Sequence, residues 1–203
     1  MRQVTDFITT YGMKTLFLKP TEMVRGSKKA KELEEDITSY LNVPISKANG
    51  HWPVPSNTAR RANGYTALAW KHVVVKAKTG VNLNKIADIT DLTNAVEAAI
   101  LALQAGKRQW SLSHIVRHYT DSGDHGGAII TWLHEMGHQV QFQAMRMDIP
   151  TPGLNESITT YSMQDTMEWH AEHFAAWALN RAMLETHYPA IVAYFDELMG
   201  ELL

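Results

Sequence analysis

The chain has 203 residues, 45% of them hydrophobic and 20% charged, which is enough apolar content to bury a substantial core and excludes disorder over most of the length. Nineteen Lys and Arg against twenty-one Asp and Glu leave a net charge of -2, so no overall basic field draws in nucleic acid or an anionic membrane. With no cysteine there is neither a disulfide frame nor a thiolate metal site, and any metal has to be held by His, Asp or Glu.

The first twenty residues are interrupted by Asp6, Thr9, Thr10 and Lys14, too polar for a secretory signal, and no later stretch is apolar enough to cross a bilayer. The expectation is a soluble protein, cytoplasmic at synthesis, with delivery elsewhere by a signal-independent route or in a virion left open. Residues 27–41 open with Ser27 as a capping residue and carry Leu33, Ile37, Tyr40 and Leu41 at helical spacing, which predicts an amphipathic helix. Residues 42–64 have three prolines and neither period, and read as a long loop. Lys47, Arg60 and Arg61 make it locally basic, and a solvated connection is the simpler account. The β-branched run Val73, Val74, Val75 predicts a strand over 65–77. Residues 88–105 carry Leu92, Val96, Ala99, Ile100 and Leu103 at helical spacing and stop at Gly106. Residues 110–119 alternate and predict a second strand, at a sheet edge given its His and Arg, and the glycine-rich 121–127 reads as a turn.

From Ala128 to about Met147 only Gly137 interrupts a helical run, which ends before Ile149-Pro150. Residues 151–163 read as loop, 166–186 as a second long helix and 188–203 as a third. Together these elements predict an α+β fold dominated by helices, with a small β-sheet preceding the central helix.

Within the central helix lies His134-Glu135-Met136-Gly137-His138, an HExxH pattern. Residues four apart on a helix stand one above the other, so both imidazoles can reach a single metal ion. Glu135, about 100 degrees further round by helical geometry, stands beside that ion, where a carboxylate can act as general base toward a metal-activated water. Ile129, Trp132, Leu133, Met136 and Val140 fall on the other side, which predicts a helix that packs into the core by one face and offers ligands to a cleft by the other. Two imidazoles under-coordinate a catalytic zinc, and Glu168 is the simplest third ligand. Glu172, one turn on, is then a partner that hydrogen-bonds a ligating imidazole and fixes its tautomer.

The stretch from Ser157 to Phe174, SITTYSMQDTMEWHAEHF, resembles the tyrosine-then-ExxxE-Phe segment of the lethal-factor-like and Pro-Pro endopeptidase group of gluzincin metallopeptidases, also seen in peptidase domains attached to some phage head-morphogenesis proteins. In that group a Tyr stands seven residues before the ligand Glu, as Tyr161 stands seven before Glu168. The likeness covers residues 128–177, about a quarter of the chain. It implies a zincin-like zinc endopeptidase acting on protein or peptide substrates, with Zn2+ as cofactor, while the charge balance and the lack of a long apolar run argue against nucleic acid or membrane as partner. It also implies His134, His138 and Glu168 as ligands, Glu135 as base, and Tyr161 as the hydroxyl that stabilises the oxyanion or assists the leaving amine. The departures are His170, where a large apolar residue is more usual, and an upstream sheet that does not align. On this reading residues 1–64 form a helical extension and long loop, and residues 65–203 the metallopeptidase domain.

The bland alternatives are packing for Tyr161 and for the paired imidazoles, and a solvated helix face for Glu168 and Glu172. His114/His118 and His170/His173 have spacings that a metal could use. On a strand His114 and His118 would share a face, although solvated histidines are the simpler account. Two rivals remain: a virion-associated or structural interaction protein with a closed zinc site completed by His170 or His173, and a toxin or effector protease with one protein target. The sequence carries no signal for the oligomeric state.

Overall fold

The computed structural model describes residues 1–22, 27–41, 62–68, 70–77, 90–145 and 156–203. Most of the long loop expected over 42–64 lies outside them, as does the first part of the loop expected over 151–163. In chain order come α1 (Arg2–Tyr11), β1 (Lys14–Leu18), α2 (Lys28–Leu41), β2 (Gly64–Ala67), β3 (Trp70–Lys76), α3 (Thr90–Gln104), α4 (Leu112–Tyr119), α5 (Gly123–Gln143), a 3-10 turn at Tyr161–Met163, α6 (Thr166–His187) and α7 (Pro189–Leu202). The fold is thus helix-dominated α+β, and no helix among the described residues is long and apolar enough to cross a membrane.

The three strands form one mixed sheet in the order β1-β3-β2, with β1 parallel and β2 antiparallel to β3. The single strand expected over 65–77 is therefore two strands of a hairpin, with a turn at Leu68. Alternation along β3 decides what each face buries: Val73 and Val75 enter the main core, while Val74 joins a smaller cluster with Leu18, Leu33 and Ile37. α2 covers that second face, and α5 packs on β2 and β3.

Val4, Phe7 and Met13 belong to the main core, and β1 pairs with β3 over its whole length. The first 18 residues therefore share a hydrophobic core with the central helix and a sheet with β3. Their apolar positions are few but sit on one face, with Val4 and Phe7 one turn apart and both fully buried.

Residues 112–119 form helix α4, where a strand was expected. Leu112, Ile115 and Val116 are its buried residues, a helical spacing hidden by the β-branched types at two of the three positions. Ser111 caps it, its Oγ accepting the His114 amide at 3.1 Å. Helix α5 likewise starts earlier than expected, at Gly123. Gly126 and Gly127 do not make a turn; they lie where α4 crosses α5, and a Cβ on either would collide with Val116 or Arg117. α6 is capped by Asp165 and kinked at Asn180, and Phe195 of α7 packs against Trp169, Phe174 and Trp177 of α6. Phe174 and Phe195 are fully buried, each contributing about 1.5–3 kcal/mol, which gives α6 a firm backing.

Candidate metal centre

α5 and α6 approach closely at Gly137, where a Cβ would lie 2.8 Å from Ala171 Cα and 3.0 Å from Phe174 Cβ. Only hydrogen fits there, so the glycine inside the HExxH pattern sets the distance between the two helices that carry the donors. On α5, His134 and His138 stand one turn apart with ring centroids separated by 4.9 Å. On α6, the Asp165 carboxylate accepts the amides of Met167 and Glu168 at 2.9 and 2.8 Å, which fixes Glu168 in the first turn. Glu168 Oε2 lies 2.9 Å from His134 Nε2 and 3.7 Å from His138 Nε2. One donor atom from each of the three residues lies within 4.8 Å of the other two.

His134 Nδ1 faces Glu172 Oε2 at 3.1 Å, and with Nδ1–H donating, Nε2 keeps its lone pair. Glu172 is held in turn, because its Oε1 accepts the Leu112 amide at 2.6 Å. Leu112 opens α4, so that amide has no partner within its own helix, and the carboxylate sits where the helix dipole favours negative charge. In this tautomer the 2.9 Å contact between His134 Nε2 and Glu168 Oε2 sets two lone pairs against each other. A cation between them resolves the conflict, and two imidazole nitrogens with one carboxylate oxygen suit a borderline divalent ion such as zinc.

A proton competes for the same place. Burial alone would lower the His134 ring, but Glu168 and Glu172 outweigh it and raise it to about 10. His138 moves the other way, to about 3, through burial and the neighbouring His134. Glu172→Gln is expected to weaken metal binding about 10–100-fold, read by calorimetric titration. Unchanged affinity would show that the tautomer of His134 is set by something else.

Glu135 stands beside the donors against the edge strand β2, and Gly64 makes room for it. A Cβ at Gly64 would lie 2.9 Å from both Cγ and Oε1 of Glu135. Burial, opposed by His134 and reinforced by Glu168, raises the Glu135 carboxyl to about 7, near the range in which a group both takes and returns protons at neutral pH. Gly64, Trp110, Ser113, Thr131, Glu135 and Tyr161 line a cleft of about 220 Å³ that reaches His134.

Comparison with protein-family models, curated proteins and solved structures finds no match.

Tyr161 has its ring centroid 5.5 Å from that of His134 and 6.0 Å from that of Trp110. Burial and the Glu168 carboxylate push its hydroxyl above the ordinary tyrosine range. Its backbone is strapped down: the Tyr161 amide donates to Trp110 O and the Thr160 amide to Gln109 O, both at 2.8 Å. His173 ties the same segment to α6, with Nδ1–H donating to Trp169 O at 2.7 Å and Nε2 accepting the Ile158 amide at 3.3 Å.

His134, Glu135, His138, Tyr161 and Glu168 are therefore brought together, with Glu172 behind them. His173 has both ring nitrogens engaged. His170 is fully buried against Tyr194 and Phe195 and stands outside the donor group. Sequence reasoning missed Leu112, whose amide fixes Glu172, and the Gly64 side of the cleft. A signal for the first existed, since Ser111 three residues before His114 is an N-cap arrangement that marks where α4 begins.

Proposed function

We propose that the chain is a zinc-dependent endopeptidase of the gluzincin type acting on protein or peptide substrates. The observation that carries this reading is two imidazoles from α5 and one carboxylate from α6 converging beside a cleft that also holds Glu135 and Tyr161. A bound zinc ion supplies a Lewis acid for the scissile carbonyl and lowers the pKa of water. Glu135 takes the proton of the attacking water and returns it to the leaving amine. Tyr161 donates to the developing oxyanion, and Glu172 keeps the His134 ring in the ligating tautomer. The peptide bond is hydrolysed without a covalent intermediate.

The rival with a closed, inert zinc site needs a fourth protein donor. Among the described residues no fourth side chain joins the group, and His173 is committed elsewhere, which favours an open coordination position. A toxin or effector protease would share the chemistry, and a proteome-wide search for cleaved proteins separates one target from many.

The deciding experiment is metal analysis of the purified protein with cleavage of a peptide library. One zinc per chain is expected, with cleavage that a chelator abolishes and zinc restores. A protein that takes up no divalent ion, or cleavage indifferent to the chelator, would end the reading. Gly64→Ala is a finer probe: the added methyl displaces Glu135, so turnover should fall on the order of tenfold to 10²-fold while zinc content stays constant. Full turnover in that variant would mean that the base does not rest against β2.

A further inference from the structure

We infer that His114 and His118 on α4 form a second, weaker site for a borderline divalent cation, separate from the three-donor centre and independent of the peptidase reading. Helix α4 sets them four residues apart, the same relation that joins His134 and His138 on α5. Their ring centroids are 4.4 Å apart, against 4.9 Å for the α5 pair, so one turn of helix again stacks two imidazoles within reach of a common ion.

Nothing else among the described residues claims these rings. Neither pairs with a carboxylate, and their ring neighbours are each other and the Tyr119 ring. His114 Nδ1 is buried with no hydrogen-bond partner, an uncompensated cost for a group that serves packing alone. His118 is exposed, so an ion has open access to the pair. Burial and the neighbouring His118 hold His114 below the ordinary histidine range, which leaves it neutral with a lone pair to give at pH 7.

Two imidazole nitrogens select zinc, nickel or copper over calcium and magnesium, which prefer oxygen. With only two protein donors, the rest of the coordination sphere is water, and affinity is lower than at His134, His138 and Glu168. Occupancy would clamp one turn of α4. That helix also holds Glu172 through the Leu112 amide and lines the cleft with Ser113, so the second ion stiffens a support of the first.

The test is calorimetric titration of the metal-free full chain with zinc at pH 7.5. Two equivalents are expected, the second weaker. His118→Ala, a change at an exposed position, should lower the affinity of the second step by more than about tenfold and leave the first step unchanged; His114→Ala should do the same. A single equivalent in the unaltered chain, or a second step of equal affinity in both variants, overturns the site. Loss of the first step in the unaltered chain would instead strike the three-donor centre, so the two failures are distinguishable.

Discussion

Glu135→Gln is expected to keep one zinc per chain while catalytic efficiency falls about 10²–10⁴-fold. The amide has nearly the shape of the carboxylate it replaces, so it fits the slot against Gly64, and Glu135 is not among the three donors. What disappears is the oxygen able to accept a proton. Stability should move in the opposite direction to activity. The Glu135 carboxyl is raised to about 7 by burial, so above that pH the folded protein carries a buried negative charge that the unfolded chain solvates freely. A neutral amide removes that penalty, on the order of 1–3 kcal/mol at pH 8. Peptide turnover, zinc content and urea denaturation of the two proteins at pH 8 together check the expectation. Turnover within a few-fold of the unaltered protein would remove Glu135 from the chemistry.

In the presence of a chelator, the protein should lose stability as pH falls from 6.5 to 4.5, by roughly 2–3 kcal/mol per pH unit. Burial holds His138 and His170 at about 3 and His173 at about 4, each against a normal value of 6.5. In this window the unfolded chain therefore binds three protons that the folded chain does not. Glu135 acts in the opposite sense, since the folded protein keeps a proton there up to about 7 and the unfolded chain releases it above 4.5. Three against one leaves about two protons taken up on unfolding. His134, raised to about 10, is protonated in both states below 6.5 and adds no slope, whereas the lowered His72 and His114 steepen it. Urea denaturation at several pH values measures the slope directly, and His170→Leu should reduce it by roughly half. Stability that is flat or rises toward pH 4.5 would show that these imidazoles are not buried as neutral rings.

The parts of the centre legible in the sequence are those fixed by local geometry. Helical spacing alone places His134 over His138 and Glu168 before Glu172, and the Asp165 cap begins α6 where the apolar run suggested. What was not legible depends on contacts between elements distant in the chain. β1 is a short strand whose partner β3 lies more than 50 residues downstream, so no period announces it. α4 has the apolar spacing of a helix but β-branched residues at Ile115 and Val116, and only tertiary packing arbitrates between the two signals. The same mistake hid the function of Leu112, because an amide within a strand has a ladder partner, whereas the first amide of a helix is free to grip Glu172.

That grip determines how small a fragment of this chain could keep the three-donor arrangement. A peptide pair corresponding to α5 and α6 would contain all three donors of the candidate centre, yet Glu172 would lose its amide donor and, with it, the reason for His134 to face inward. Grafting the donors into a designed scaffold should therefore carry residues 111–119 along with the helical pair, or supply another backbone N–H at the same spot.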